Sequence, residues 1–155
     1  MTEVTVGTQA PDFDLPRDGG GRVSLSQFGD RAVVLFFYPK DDTSGCTTES
    51  IAFTALAADF EAAGAVVIGM SPDSVKSHDK FTKKHQLGVI LASDEEKTVL
   101  QAYGVWKEKS MYGKKYMGVE RTTVLIDAAG KIARVWEKVK VAGHAEEVLQ
   151  AVKSL

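Results

Sequence analysis

The stretch RAVVLFFYPKDDTSGCTTES, residues 31–50, decides the fold and holds the chain's one cysteine, Cys46. Residues 31–39 form an apolar run, rich in β-branched and aromatic side chains and ended by proline, which predicts a strand buried on both faces. After a polar loop, apolar residues recur at helical spacing from Cys46 to about Ala63, where Gly64 can cap the helix. The stretch therefore predicts a central strand that leads into a helix, with Cys46 at the start of that helix.

Downstream segments continue the alternation of strands and helices. AVVIGMS, residues 65–71, predicts a second buried strand, and residues 74–85 predict a polar helix. SDEE, residues 93–96, has the spacing of a capping box and predicts a short helix that closes at Gly104. RTTVLID and KIARVWEKV, joined by a turn at residues 128–130, predict an antiparallel hairpin.

The two ends of the chain complete the pattern. FDLPRDGGGRVSLSQF, residues 13–28, predicts an N-terminal β-hairpin around three glycines, and an apolar face predicts a last helix from Ala145 to about Ser154. This order of elements is that of an α/β thioredoxin-like fold, with a central mixed sheet, helices on both faces and an N-terminal β-hairpin. Since no repeat, low-complexity tract or linker interrupts it, we expect one domain over residues 1–155.

Composition limits the function classes. A net charge of -2 without a long block of one sign gives no electrostatic footprint for nucleic acid. No apolar run approaches the ~20 residues that cross a bilayer, and the N-terminal residues lack a secretory leader pattern. We therefore expect a cytoplasmic protein without a membrane partner. The histidines, His78, His85 and His144, are scattered without metal-ligand spacing, so we expect no metal site.

Cys46 is placed where a cysteine can be reactive. The first turn of a helix offers unpaired backbone N–H groups and the positive end of the helix dipole, which stabilise a thiolate. Thr43 can hold an O–H group of a small substrate beside the sulfur, or it can be an ordinary helix N-cap. Pro39 can shield the thiolate from water, or it can simply end the strand. The bland alternative for Cys46 is a small, inert, buried side chain.

The segment YPKDDTSGCTTES resembles the active-site loop of the peroxiredoxins, in particular the Q group, also called bacterioferritin comigratory proteins. The likeness extends over nearly the whole chain, through the segments APDFDLP, AVVIGMSPDSVKSHDKF, LASDEEKTVLQAYGV, GVERTTVLID and KVKVAGHAEEVLQ. The resemblance implies a thioredoxin-like fold and a thiol-dependent peroxidase that needs no metal, flavin or haem.

The resemblance also implies a set of site residues. Cys46 corresponds to the peroxidatic cysteine, Thr43 to the hydroxyl that positions the peroxide, and Pro39 to the shield of the pocket. Arg121, in the segment GVERTT, corresponds to the arginine that stabilises the thiolate and the departing oxygen. Glu49, one turn into the helix, can orient Arg121 by a charge-assisted pair, although a glutamate there is favourable without any such role. Outside the resemblance, Arg121 could equally be a surface arginine at the start of a strand.

The chain departs from the two-cysteine members of that family. A resolving cysteine is expected five residues after Cys46 or in the following helix, but Ile51 and Thr82 stand at those places. An intramolecular disulfide is impossible with one cysteine, so the sulfenic acid formed on Cys46 must react with an external thiol. Candidates are a small thiol, a thioredoxin- or glutaredoxin-type protein, or Cys46 of a second chain. Ser44 also replaces a more usual proline, which removes loop rigidity but no reacting group.

Two other functions fit a thioredoxin-like chain with a cysteine at a helix start. A thiol-disulfide oxidoreductase normally has Cys-x-x-Cys, whereas this chain has Glu49 where the second cysteine would be. Only a monothiol role is therefore compatible with the sequence. A non-catalytic binding module would carry an inert Cys46.

An apolar approach for alkyl peroxides could be lined by four aromatic residues, which could equally be core residues: Phe37, Tyr38, Trp106 and Tyr116. The family likeness implies a monomer or weak dimer.

Overall fold

The computed structural model describes residues 4–155. The expectation about a secretory leader rests in part on the first three residues, which lie outside the described residues. The strands are β1 (Asp14–Pro16), β2 (Arg22–Ser24), β3 (Ala32–Phe37), β4 (Ala65–Ser71), β5 (Ile90–Ser93), β6 (Trp106–Met111), β7 (Lys114–Val119), β8 (Thr122–Ile126) and β9 (Ile132–Trp136). The helices are α1 (Ser44–Ala55), α2 (Ala57–Ala62), α3 (Val75–His85), α4 (Thr98–Ala102) and α5 (His144–Lys153), with a 3-10 turn at Leu25–Phe28.

The central sheet has the strand order β5-β4-β3-β8-β9. β3 pairs parallel with β4 and antiparallel with β8, so the sheet is mixed. All residues of β3 are buried, because alternate side chains enter two different cores. Val33, Leu35 and Phe37 face one core, and the residues between them face the other. Each large side chain buried in this way contributes about 1.5–3 kcal/mol to folding, which explains why the run is apolar without interruption.

Helices cover both faces of this sheet, as the sequence predicts. On one face, Phe53 of α1, Phe60 of α2 and Val148 of α5 share a core. On the other face, Leu100 of α4 packs with Val23 of the N-terminal hairpin. That hairpin forms by antiparallel pairing of β1 and β2, as expected. The predicted thioredoxin-like arrangement is therefore confirmed, with the start of α1 at the end of the central strand.

The predicted helix from Cys46 to Ala63 is in fact two helices. Leu56 has φ -103° and ψ 7°, which interrupts the α-helix between α1 and α2. Its backbone N–H donates to the carbonyl of Phe53, three residues back, instead of four. The apolar spacing continues through Leu56, so the sequence pattern alone gave no sign of this break. Gly64, at φ +83°, ends α2 where the sequence predicts a cap.

The predicted capping box at residues 93–96 is wrong. Ser93 is the last residue of β5, a short strand that the sequence reading missed, and its hydroxyl donates to the carbonyl of Asp73. The carboxylate of Asp94 instead accepts a hydrogen bond from the N–H of Leu100 at 2.8 Å. The helix, α4, begins only at Thr98. The sequence of residues 93–96 fits a capping box, but the observed hydrogen bond joins Asp94 to the helix that begins four residues later.

A second hairpin, β6–β7, was also missed. Its strands are rich in lysine and its register is antiparallel, from Trp106 opposite Val119 to Met111 opposite Lys114. Tyr112 and Gly113, both at positive φ, form the two-residue turn. Most of its side chains are exposed, so apolar alternation gave no strand signal. Among residues 4–155, no helix is both long enough and apolar enough to cross a membrane.

Candidate active site

Cys46 lies in the first turn of α1, just after the loop that leaves β3. Its side chain is completely buried, at 0% exposure. α1 starts after Thr43, whose carbonyl accepts the first helical hydrogen bond, from Thr47 at 2.8 Å. Within residues 4–155, the N–H groups of Ser44, Gly45 and Cys46 have no acceptor, and no side chain caps the helix. The helix start that carries Cys46 therefore has unpaired donors and the positive end of the helix dipole, which favour an anion there.

Arg121 reaches this helix start from the sheet. It directly precedes β8, whose first residue, Thr122, pairs with Phe37 at the end of β3. The antiparallel pairing brings Arg121 to the edge of the sheet where the loop to α1 begins. Its Nη2 lies 3.2 Å from Sγ of Cys46. A Cβ atom at Gly45 would come within 3.1 Å of the same Nη2, so glycine leaves the space that the guanidinium occupies.

Glu49 holds the other arm of the guanidinium. Nη1 of Arg121 donates to Oε1 of Glu49 at 2.6 Å. The Glu49 side chain is only 1% exposed, and its Oε2 has no hydrogen-bond partner among the described residues. Burial raises the pKa of Glu49 to about 7, because desolvation of the carboxylate outweighs the charge and hydrogen bond of Arg121. The expected pair with Arg121 is present. Near neutral pH, the carboxyl group of Glu49 in this pair is partly protonated and partly ionised.

The charge of Arg121 is stable in this environment. Burial alone would lower its pKa, but the charges of Glu49 and Cys46 raise the pKa of the guanidinium above its ordinary value. The side chain is 18% exposed, so most of it is shielded from solvent. Arg121 is therefore a fixed cation between a carboxyl group and the sulfur, and the surface-arginine alternative does not describe it.

The Thr43 hydroxyl has a defined direction. It donates to the carbonyl of Lys40 at 2.8 Å, and it makes no capping bond to α1. Since its proton is engaged, its lone pairs are the part available to another molecule, and a hydroperoxide O–H is a donor that they can accept. Thr43 occupies the N-cap position by its backbone, but its side chain does not act as a cap.

Pro39 and the aromatic residues take different places. Pro39 is half-buried between the end of β3 and the loop, and its shielding role stays a prediction. Phe37 and Tyr38 are completely buried core residues, so they do not line an open approach. Tyr116 lies on β7 with 43% exposure, and Trp106 on β6 is half-buried.

One polar cluster was not predicted from the sequence. Asp41, Asp73 and His78 place a ligand-type atom each within 4.8 Å of one another. They already bond one another, however: Asp41 Oδ2 lies 2.7 Å from His78 Nδ1, and the Asp41 N–H donates to Asp73 at 2.8 Å. The arrangement is thus a hydrogen-bond network between the loop and α3. Its sequence signal is weak, because the partners are separated by more than thirty positions.

Known proteins resemble this chain over most of its length. The model of the AhpC/TSA family matches residues 6–135. The putative peroxiredoxin bcp of Coxiella burnetii is 49% identical over 94% of this chain and 97% of its own. The solved peroxiredoxin Q of Xanthomonas campestris is 44% identical, with a TM-score of 0.90 over 97% of this chain and 96% of that one. A structure from a study of alkyl peroxide reduction by the X. campestris bacterioferritin comigratory protein has a TM-score of 0.90 and 43% identity, with the same coverage.

Proposed function

Because the chain belongs to the AhpC/TSA family and is a peroxiredoxin, a thiol-dependent peroxidase, we propose that Cys46 is the sulfur that attacks the peroxide. One observation carries this proposal: the guanidinium of Arg121 lies 3.2 Å from Sγ, at a helix start whose N–H groups have no other partner within the described residues. A cation at the sulfur and a helix start with unpaired backbone donors are the arrangement that favours a thiolate.

The proposed reaction is a displacement on the O–O bond. The Cys46 thiolate attacks one peroxide oxygen, the S–O bond forms and the O–O bond breaks. The other oxygen leaves with the electron pair of that bond and takes up a proton, so that it departs as water or an alcohol. Arg121 faces the charge that develops on this oxygen, and the sulfur is oxidised to a sulfenic acid.

Glu49 and Thr43 complete the site in this scheme. Glu49 keeps one nitrogen of Arg121 engaged, so that the other nitrogen points at the sulfur. The hydroxyl of Thr43 donates to Lys40 and can accept the O–H of the incoming peroxide. That bond would hold the oxygen to be attacked beside Cys46 and leave the other oxygen towards Arg121.

We expect Thr43→Val to slow peroxide reduction about tenfold, because one oriented hydrogen bond of roughly 1.4 kcal/mol is lost. Thr43→Ser should keep most of the activity, since serine retains the hydroxyl. The measurement is the rate of Cys46 oxidation in a single turnover with hydrogen peroxide. If valine is tolerated as well as serine, the hydroxyl has no part in binding the peroxide.

We propose hydrogen peroxide and small alkyl hydroperoxides as the substrates. The support for the alkyl class is the relative from X. campestris, which was studied for alkyl peroxide reduction. The site needs only a hydroperoxide O–H and a leaving oxygen, so it does not by itself demand a particular alkyl group.

We propose that an external thiol, either a small thiol or a thioredoxin- or glutaredoxin-type protein, returns Cys46 to its reduced form. The chain has one cysteine, so no second sulfur of the same chain can attack the sulfenic acid. Ile51 is 44% exposed on α1, and Thr82 is a half-buried residue of α3. Because Cys46 itself is fully buried, a thiol must wait for a local opening of the first turn of α1.

The test is peroxide turnover with and without thiol. With peroxide alone, we expect at most one equivalent to be consumed quickly, followed by slow further oxidation of Cys46 and loss of activity. With excess small thiol, we expect a mixed disulfide on Cys46, release by a second thiol, and sustained turnover. Mass spectrometry of the Cys46 peptide follows each state. Rapid multiple turnover without any thiol would contradict the scheme, because one cysteine cannot supply electrons repeatedly.

Four further expectations stay predictions: a single domain over residues 1–155, a cytoplasmic location, a monomer or weak dimer, and no requirement for a metal or another cofactor. A role as a monothiol oxidoreductase or a binding module has no specific observation in its favour. The residue three positions after Cys46 is Glu49, and it is bonded to Arg121, which fits a peroxidatic site better than a disulfide-exchange motif.

A further inference from the structure

Helix α3 holds the loop between β3 and α1 at two consecutive carboxylates. Asp41 lies 2.7 Å from His78, and Asp42 lies 2.9 Å from His85. The two histidines are seven positions apart, about two helical turns, so they lie on the same face of α3. Neither contact involves Cys46, Arg121 or Glu49 directly, and the reaction scheme above does not use them.

The first contact fixes Asp41 at both its side chain and its backbone. The carboxylate accepts from the hydroxyl of Tyr38 at 2.6 Å and of Ser77 at 2.8 Å, besides its contact with His78. The Asp41 N–H donates to the carboxylate of Asp73 at 2.8 Å. His78 is completely buried, and its Nε2 lies 2.9 Å from the Ala92 carbonyl, an acceptor, so Nε2 donates there. Asp41 therefore has little freedom to move.

The second contact holds a residue in an unusual conformation. Asp42 has φ +62°, the left-handed region that side-chain-bearing residues rarely adopt. Its two carboxylate oxygens take separate partners, Nε2 of His85 at 2.9 Å and Nζ of Lys84 at 2.8 Å. These hydrogen bonds lower the pKa of Asp42, so its carboxylate stays ionised. The backbone at Asp42 is thus kept in place by the end of α3.

Both aspartates lie inside the turn that orients Thr43. The Thr43 hydroxyl donates to the carbonyl of Lys40, and Asp41 and Asp42 are the two residues between them. Any change in the backbone of these two residues moves the Lys40 carbonyl relative to the hydroxyl. Small misplacements of a substrate-holding group cost rate steeply, because the reacting atoms must meet at a defined distance and angle.

We propose that His78 and His85 are positioning residues of the peroxide reaction, acting through Asp41 and Asp42 on the Thr43 hydroxyl. This inference rests on the proposed function of Cys46 and Thr43. In this proposal α3 contributes to the reaction by holding the loop, whereas Arg121 and the dipole of α1 act directly on the sulfur of Cys46.

The first test compares two reactions of the same sulfur. Since the chain has one cysteine, both peroxide oxidation and iodoacetamide alkylation report on Cys46 alone, but only the peroxide needs the Thr43 hydroxyl. We expect His85→Ala to slow single-turnover oxidation by hydrogen peroxide about fivefold, while alkylation stays equal or becomes faster. His85→Gln, which keeps a donor for Asp42, should restore most of the rate. Lys83→Ala, an exposed neighbour on α3, is the matched control and should change neither reaction.

A double-mutant cycle tests whether the effect passes through Thr43. In a Thr43→Val background, His85→Ala should cause no further loss in the peroxide reaction, since the group that it positions is already absent. A urea midpoint for each variant shows that the protein remains folded. Equal slowing of peroxide oxidation and alkylation, or an undiminished loss in the Thr43→Val background, would overturn the proposal.

A pH profile tests His78, which is too buried for a simple deletion. Burial alone would lower its pKa, but the hydrogen bond and charge of Asp41 raise the pKa of His78 above its ordinary value. The groups that face it are Asp41, Asp73 and the neutral hydroxyl of Tyr38. His78 is therefore protonated below that raised value, and its charged contact with Asp41 weakens as pH rises through it.

Both reactions use the same thiolate, so the ratio of the peroxide rate to the alkylation rate removes the thiolate fraction. Because Cys46 is fully buried, iodoacetamide, like a thiol, reaches it through a local opening, and the alkylation rates of the two proteins at each pH show whether that opening has changed. We expect this ratio to fall with rising pH in the wild-type protein and to fall less in His78→Asn, whose amide can still donate to Asp41 but does not titrate. Identical profiles in the two proteins would overturn the role of His78. Failure of wild-type Cys46 to react with peroxide at all would instead refute the proposed function.

Discussion

Cys46→Ser should have no measurable peroxide consumption, with or without thiol. A serine hydroxyl has a pKa far above neutrality and cannot take up the two-electron oxidation that sulfur undergoes. The fold should survive, since serine differs from cysteine by one atom and the buried Cys46 side chain is small. The measurements are peroxide consumption by the purified variant and a urea unfolding curve beside that of the wild-type protein.

A matched control comes from the same helix. Ser50 is also completely buried in α1, and its hydroxyl has no hydrogen-bond partner among the described residues. Ser50→Ala removes an unpaired polar atom at a site next to the core, so it should keep the activity and cost little stability. If Cys46→Ser retains turnover while Ser50→Ala behaves as expected, Cys46 is not the reacting centre and the assignment fails.

The parts of the site that the sequence could predict are those written in one continuous segment. Pro39, Thr43 and Cys46 fall within eight positions, and the strand before them and the helix after them have clear patterns. Their relative placement then follows from local geometry. Arg121 is 75 positions away from Cys46, and it meets the sulfur only because β8 pairs antiparallel with β3. Residue patterns alone do not give that register, so the role of Arg121 depended on the family resemblance.

The structural features that the sequence analysis missed or predicted wrongly have physical explanations as well. The β6–β7 hairpin is exposed and lysine-rich, so it lacks the apolar alternation from which strands are recognised. The predicted capping box is wrong because the helix does not begin at Ser93; the carboxylate of Asp94 instead accepts from the N–H of Leu100, farther along the chain. The pairing of Asp41 with His78 and of Asp42 with His85 requires the packing of α3 against the loop, which propensity and periodicity do not contain. Long-range polar contacts are therefore the part of this site that only the structure supplies.

Arg121→Ala should slow the reaction of Cys46 with peroxide by about tenfold to a thousandfold. Removing one donor to a developing oxyanion costs about a hundredfold to a thousandfold, and the lower bound applies because the N–H groups at the start of α1 can share this role. The guanidinium acts twice: it stabilises the thiolate before the reaction and the departing oxygen during it. Loss of the cation also leaves Glu49 buried without its partner, and because burial already raises the pKa of Glu49 to about 7, this carboxyl group will take up a proton. The variant should therefore fold, and the rate of single-turnover oxidation measures the loss.

The two contributions of Arg121 can be separated. Alkylation of Cys46 by iodoacetamide needs the thiolate but forms no oxyanion, so Arg121→Ala should slow alkylation less than it slows peroxide oxidation. Arg121→Lys keeps the charge but loses the two-armed contact with Glu49 and Cys46, and it should lie between alanine and the wild type. The control is Arg134→Ala on β9, where a half-exposed arginine pairs with Glu147 at 3.5 Å. If Arg121→Ala and Arg134→Ala leave the peroxide rate equally unchanged, the contact between Arg121 and the sulfur has no part in the chemistry.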